Sequence, residues 1–445
     1  MKADDKLRKL KPCFQKTDLM WLFYLASEGQ ERDEVDELLD ILMLSELNKD
    51  YSKAIYLEPP DSNDCEGDYH FGDVLYPGRL YCGFGLRENE WIKHVLITGM
   101  SGVGKTNLSF KLLQVLQKKG KPFLVFDWKK NYRDLVQLPE FKDMKVYTVG
   151  RGVRPFKFNP LIPPPGTKPE HWLVRLIDVM KHAFFLGEGV EYLLRAAMDS
   201  TYDRNGVFEG SDTYPRLNQV EAFVQKRFAK GRMSLWQASA IRAMSHLTYK
   251  RGLGAVVDVN DSVNPDELLS SDVVLELDAL SDVDKLFFTE ALLLWIYEYR
   301  KNDGKREKFK HAIVIEEGHH ILSAAKEKHE GQETIMETIL RQIREFGESV
   351  MVIDQEPSKL SDSIKANTYC KITFNLGNGK DIEDISTCMQ LTEEQKEYIG
   401  MLPVGQGIVS LSGRVFFPLH VSFPLVPIQK GRVSDSYLSS LLDKQ

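Results

Sequence analysis

The chain has 445 residues, 42% of them hydrophobic, a formal net charge of −7 and five cysteines. That length suggests two or three domains around a substantial core, and the acidic balance excludes a protein coated in basic surface while leaving room for a local basic stripe. Cys13, Cys65, Cys82, Cys370 and Cys388 form no CxxC pair, which fits a reducing cytoplasm and argues against a disulfide framework or a zinc site.

The charged segment 1–11 lacks the apolar core of a signal peptide. The apolar stretches near 19–26 and 291–297 fall short of the roughly 20 residues that a membrane span needs, so no intrinsic span is expected. Residues 1–68 read as a helical N-terminal region. There 18–27 is apolar and aromatic, and Val35, Leu38, Leu39, Leu42 and Leu44 have amphipathic spacing. This region reads equally as a docking module, a lid or a helical appendage. Pro59, Pro60, Asp61, Ser62, Asn63 and Asp64 mark a linker. Short strand-like pieces at 74–76 and 80–82 lead to His94-Val95-Leu96-Ile97-Thr98, a buried strand. A helix follows, with Leu108, Leu112, Leu113 and Leu116 on one face. A second strand, 122–126, ends in Asp127. Asn159-Pro160-Leu161 opens a helical insertion over about 160–255, in which the charged run 225–232 reads as a solvated face. Strands at 272–278, 311–315 and 350–353 alternate with helical pattern, including the apolar helix 287–299. Continuous apolar strands alternating with helices imply a mainly parallel sheet covered on both faces. Strand-like pieces at 371–376, 407–411 and 414–421 precede a tail, 431–445, with Leu438, Leu441 and Leu442 at helical spacing.

Between the first buried strand and its helix, Gly99-Met100-Ser101-Gly102-Val103-Gly104-Lys105-Thr106 completes the pattern GxxxxGK[ST]. Strand, glycine loop and helix are the context in which that pattern holds phosphate. Glycines let backbone N–H groups converge on phosphate oxygens, and the helix N-terminus adds partial positive charge. Gly99, Ser101, Gly102, Val103, Gly104, Lys105, Thr106 and Asn107 are therefore expected to hold a nucleoside triphosphate. Lys105 would reach the β- and γ-phosphates, and the Thr106 hydroxyl would ligate Mg²⁺. Hydrolysis also needs a carboxylate for the metal and one for water. Glu316 and Glu317, directly after a buried strand, supply both: Glu316 on Mg²⁺, Glu317 as the base. Asp127 and Asp278 end rival strands and fit these roles less well. Gln355, after the strand 350–353, is a polar amide placed to sense the γ-phosphate or the attacking water. Arg341 and Arg344, read alone, sit on an ordinary helix face. Adjacent histidines such as His319 and His320 point different ways, so a packing role is expected rather than metal ligation.

Taken in order, these segments resemble the HerA-FtsK superfamily of ring ATPases, its HerA-like members and its conjugation and type IV secretion ATPases above all. Phe126-Asp127-Trp128-Lys129-Lys130-Asn131-Tyr132 is similar to that family's "DPKGEY" segment, and Ile315-Glu316-Glu317-Gly318-His319 to its "DEAH" site. Arg344-Glu345-Phe346-Gly347, with Val352-Ile353-Asp354-Gln355-Glu356-Pro357-Ser358, resembles its "RKFG … QRPS" run. The resemblance implies an α/β P-loop fold over 69–430, RecA-like and of the FtsK-HerA type. It implies a homo-oligomer, a hexameric ring, in which Arg344 or Arg341 reaches a neighbour's γ-phosphate and Gln355 couples hydrolysis to motion. A cytoplasmic motor on double-stranded DNA, a translocase or helicase with an effector or nuclease partner and a possible place in antiviral defence, is the leading expectation. Lys129, Lys130 and Arg133 are its candidate pore contacts. An ATPase scaffold that switches an effector without translocation, and an energiser of protein secretion, stand beside it. Three residues depart from the family pattern: Glu316 for aspartate, Gly318 for alanine and Trp128 for proline. The helical N-terminal region also differs from the β-barrel of archaeal HerA proteins.

Overall fold

The computed structural model describes residues 2–11, 13–47, 61–76, 78–227, 230–261, 263–306, 308–325 and 334–442. Pro59 and Pro60 of the expected linker, and Phe228 and Ala229 of the charged run, lie outside the described residues.

Among the described residues the N-terminal region carries three helices, α1 (Ala3–Leu10), α2 (Thr17–Ala26) and α3 (Gln30–Glu46). Leu7 and Leu10 of α1 bury against Leu39 and Met43 of α3, and Lys6 pairs with Asp36 and Asp40 at 3.1 and 2.8 Å. Tyr76 ties this small core to the sheet by donating to the Lys9 carbonyl at 2.6 Å. Leu19, Leu22, Phe23 and Leu25 of α2 remain exposed.

Eleven strands form one sheet. In chain order they are β1 (Tyr69–Leu75), β2 (Leu80–Leu86), β3 (Val95–Thr98), β4 (Phe123–Asp127), β5 (Lys145–Thr148), β6 (Val273–Glu276), β7 (His311–Glu316), β8 (Glu348–Asp354), β9 (Cys370–Thr373), β10 (Gln406–Leu411) and β11 (Leu419–Ser422). The sheet order is β2-β1-β11-β10-β9-β3-β8-β7-β4-β6-β5. The run from β9 to β5 is parallel, and β10, β11, β1 and β2 extend it as an antiparallel limb. Every residue of β3, β4, β6, β7 and β8 is buried, which is why these strands read as unbroken apolar runs. This is the expected α/β architecture, with β3, β8 and β7 side by side so that their C-terminal ends open at one edge.

Helix α4 (Lys105–Lys118) covers one face, burying Leu108, Leu112, Leu113 and Leu116. The insertion carries α5 (Pro169–Phe184), α6 (Glu188–Arg204), α7 (Leu217–Lys226) and α8 (Arg232–Thr248), and α5 packs on α9 (Asp282–Asp303). Helix α9 buries its whole run from Leu286 to Glu298, as a helix with no solvent face does. Asn159 ties the start of the insertion to its middle. Its buried amide donates to the Pro215 carbonyl at 2.9 Å and accepts from the Leu161 N–H at 2.9 Å.

Helix α10 (Ile335–Ile343) precedes β8. Glu348, at the start of β8, is fully buried between His311, at 2.7 Å, and Arg300 of α9. Burial alone would raise its pKa, but the interactions with His311 and Arg300 outweigh it and hold the carboxyl down to about 2. A folded-state pKa below the unfolded one contributes stability that is present above about pH 4.5 and is lost as the pH falls towards 2. Arg300→Ala should cost about 3 kcal/mol, because it strands a buried charge, and should move acid unfolding to higher pH; acid titration followed by circular dichroism checks both.

In the tail, helix α11 (Asp435–Leu442) packs down on the body: Leu438 is buried and Leu441 partly so against the core that holds α4. Asp435 fixes its start by accepting from Arg133 and Arg151.

Candidate nucleotide-binding site

The phosphate loop leaves β3 and turns into α4. Gly102 and Gly104 take φ of +84° and +116°, which a Cβ would penalise. Lys105 opens the helix, and its Nζ donates to the carbonyls of Gly99 and Met100, the second at 2.8 Å. Burial draws its pKa down to about 8, with Glu317 pulling the other way.

One cavity of about 500 Å³ joins the loop to the acids. Ser101, Gly102, Gly104, Lys105, Thr106 and Asn107 line it together with Glu316, Glu317 and Gln355. Gly99 and Val103 lie behind it: Val103 is in the core, and its carbonyl accepts from the Gly405 N–H at 2.9 Å.

Glu316 ends β7 almost fully buried, and its Oε2 has no hydrogen-bond partner. Burial, and then the nearby Asp127, push its pKa up to about 8. An unpartnered carboxylate oxygen lining the same cavity as the Thr106 hydroxyl is the donor set a hard divalent cation takes, so the pair fits Mg²⁺. When bound there, Mg²⁺ would neutralise charge on the phosphates.

Glu317 holds φ +50°, a left-handed conformation uncommon for a side-chain-bearing residue. Its Oε1 accepts from Gln355 Nε2 at 2.6 Å and pairs with Lys129. The structure thus brings together the expected base and the expected amide sensor. Asp354 was not singled out by the sequence, since its only signal is an acid ending an apolar strand. It is buried and accepts from the His319 N–H at 2.7 Å, from His319 Nδ1 at 2.9 Å and from the Glu356 N–H at 2.7 Å. It therefore fastens the Glu317 loop to the Gln355 loop. Burial opposes protonation of His319, but Asp354 wins and raises its pKa.

His319 hydrogen-bonds and His320 packs, and their rings lie 4.2 Å apart rather than pointing different ways. His320 stacks on Trp128, with ring centroids 4.5 Å apart and planes 5° apart, which gives the tryptophan in place of proline a function. Gly318 has a reason as well: a Cβ there would sit 2.4 Å from Val352 Cγ1. Gly318→Ala should cost about 1–3 kcal/mol, and adding Val352→Ala should recover most of it, as read by thermal unfolding.

Asp127 is a structural acid, accepting from the N–H groups of Lys129 and Tyr132 at 3.0 and 2.8 Å. Asp278 pairs with Arg151. Of the basic trio expected at a pore, Arg133 is corrected. Arg133 is 2% exposed, forked onto Glu276 and bound to Asp435. Lys130 pairs with Asp435, and Lys129 with Glu317. Arg133 cannot touch DNA without breaking a buried pair. Arg341 and Arg344 are exposed and do not line the cavity. They precede β8, whereas Gln355 follows it, so the seven-residue strand puts about 20 Å between Arg344 and the site in the same subunit. Sequence reasoning also missed the far wall of the cavity, made by Val404, Leu425, Val426, Ile428 and Lys430.

A family model described as the central domain of helicase HerA matches residues 82–378. The chain belongs to the HerA family. The DNA double-strand break repair helicase HerA of Sulfolobus acidocaldarius is 22% identical over 340 residues, covering 73% of this chain and 63% of that protein. HerA of Saccharolobus solfataricus is 24% identical over 337 residues with the same coverage. The chain thus spans somewhat under two thirds of the length of these HerA relatives. Among solved structures, VirB4 of Thermoanaerobacter pseudethanolicus superposes with a TM-score of 0.62 at 16% identity, covering 80% of this chain and 96% of VirB4. The plasmid coupling protein TrwB, in complex with ADP and Mg²⁺, gives 0.57 at 12% identity, covering 82% and 96%. Both likenesses establish the shared P-loop fold. No helix among the described residues is long and apolar enough to cross a membrane.

Proposed function

We propose that the chain hydrolyses ATP with Mg²⁺ as a ring motor, a hexamer of identical subunits, that translocates or remodels double-stranded DNA with an effector or nuclease partner. The observation that carries the reading is the single cavity uniting the phosphate loop with Glu316, Glu317 and the Gln355–Glu317 hydrogen bond. In it Lys105 and the loop N–H groups hold the phosphates, Thr106 and Glu316 take the metal, and Glu317 accepts the proton of the attacking water. Gln355, bonded to that base, would feel the loss of the γ-phosphate and pass it to β8. Arg344, or Arg341, serves a neighbour's site across the ring.

A second reading, an ATPase scaffold that assembles and switches an effector without moving DNA, is favoured by two observations. The basic trio is committed to internal ion pairs, and α2 presents exposed apolar residues. Triplex displacement separates the two: a motor strips a third strand from a long duplex only with hydrolysable ATP. A chain that assembles and turns over ATP but never displaces the strand is a scaffold.

A further inference from the structure

The helical insertion carries a recess of its own, lined by none of the residues around the phosphate loop. A cavity of about 410 Å³ opens between the end of α6 and one face of α7. Arg204 and Asn205 come from the end of α6. Gln219, Phe223 and Lys226 follow at helical spacing along α7, and Arg227 stands directly after it. Three of these six side chains are cationic, and no carboxylate lines the cavity. Among the described residues no ion pair engages Arg204, Lys226 or Arg227, whereas Lys129, Lys130 and Arg133 are each neutralised by an acid. Three unneutralised cations around one recess set up a local field that attracts anions, even on a chain of negative net charge.

The two arginines are nonetheless held in place. Arg204 Cζ lies 5.3 Å from the ring centroid of Phe223, and Arg227 Cζ lies 5.8 Å from that of Tyr192 on α6. A guanidinium over a ring keeps N–H donors at its edge and gives up side-chain freedom before any ligand arrives. Gln219 adds a fixed donor. Its Oε1 accepts from the Arg216 N–H at 2.8 Å, and its Nε2 has no partner among the described residues. Cations at helix C-termini also complement the macrodipole. That accounts for Arg204 and Lys226 one at a time, but not for their convergence on one recess without acids.

The kind of anion follows from the walls. Pockets for small molecules enclose their ligand in largely apolar surface, but here Arg204, Gln219 and Lys226 are exposed. Single strands are gripped by bases stacking on open aromatic faces, but Phe223 is the one aromatic side chain in the lining and Arg204 lies over it. Exposed cationic donors without a free ring suit phosphate oxygens rather than bases. We propose that the recess between α6 and α7 grips the phosphodiester backbone of a DNA duplex without reading its sequence. The proposal rests on the reading of the chain as a motor on duplex DNA, and it gives that reading basic contacts that the buried Arg133 cannot make.

The test is fluorescence anisotropy of the full chain with two labelled duplexes of unrelated sequence over a series of salt concentrations. The parent is compared with Arg204→Gln, Lys226→Gln and Arg227→Gln, and thermal unfolding of all four runs beside it. Glutamine is a good helix former, so the variants should unfold with the parent. The parent should bind both duplexes within about twofold of each other. Each variant should weaken both by about fivefold and reduce the slope of log affinity against log salt by about 1. Variants that bind as tightly as the parent, with the same slope, overturn the assignment and leave the motor reading standing. A weakening confined to one duplex, or matched by a loss of thermal stability, overturns it as well. A free phosphorylated compound is the other source of the same chemistry, and inorganic tripolyphosphate titrated into Lys105→Ala reports it. Binding there that is tighter than that of the duplex, and that Arg204→Gln removes, overturns the backbone assignment. A parent that binds neither duplex even at low salt removes the DNA reading together with this site.

Discussion

Arg344→Ala should turn over ATP about a thousandfold more slowly than the parent chain, and mixing it with Lys105→Ala should restore part of the lost activity. An arginine that stabilises the transferring phosphoryl group is worth about 10³–10⁵ in rate. The fold places Arg344 at the wrong end of β8 for its own cavity. Its exposed position suits a neighbour's γ-phosphate instead. In a mixed ring, the intact phosphate loop of an Arg344→Ala subunit can meet the intact arginine of a Lys105→Ala subunit. Steady-state turnover across mixing ratios would then rise above the sum of the two inactive parents. A flat mixing curve would show that Arg344 does not act across an interface, and the same series with Arg341→Ala decides between the two arginines.

Glu317→Gln should bind ATP as tightly as the parent and hydrolyse it about a thousandfold more slowly, within the range that a positioned base contributes. The amide is nearly isosteric, and its oxygen can still accept from Gln355 Nε2, so the loop geometry survives while the proton acceptor is lost. The readout is a single-turnover time course beside an equilibrium binding curve. Loss of binding would instead make Glu317 part of the nucleotide cradle.

Most of this site is legible in the sequence because its signals are local. The octet from Gly99 to Thr106 needs only a strand before it and a helix after it, and β3 and α4 supply them. Glu316 and Glu317 follow an unbroken apolar run, and β7 is buried at all six positions. The strands β5 and β11 are harder to place. Lys145–Thr148 is four residues long and pairs only with β6 at the parallel edge, while Leu419–Ser422 is shorter than the run 414–421 from which it was read. The misreading of Arg133 has a clear cause. A basic cluster looks solvent-facing until Glu276, 143 positions away, is known to lie beneath it. The same long separation hides the cavity's apolar wall: Asn107 and Pro424 meet across 317 residues, with no pattern around either to announce it. At positions 318 and 128, where the resemblance implies alanine and proline, Val352 Cγ1 leaves no room for a Cβ and His320 stacks on the tryptophan.

The most direct test of the central claim is ATP turnover at low salt, with and without long double-stranded DNA, for the parent chain and Glu317→Gln. The account predicts turnover by the parent that rises with duplex DNA, declines with added salt as phosphate contacts are screened, and vanishes in the variant. Parent turnover that persists undiminished in Glu317→Gln, or a parent that hydrolyses nothing with or without DNA, would contradict it.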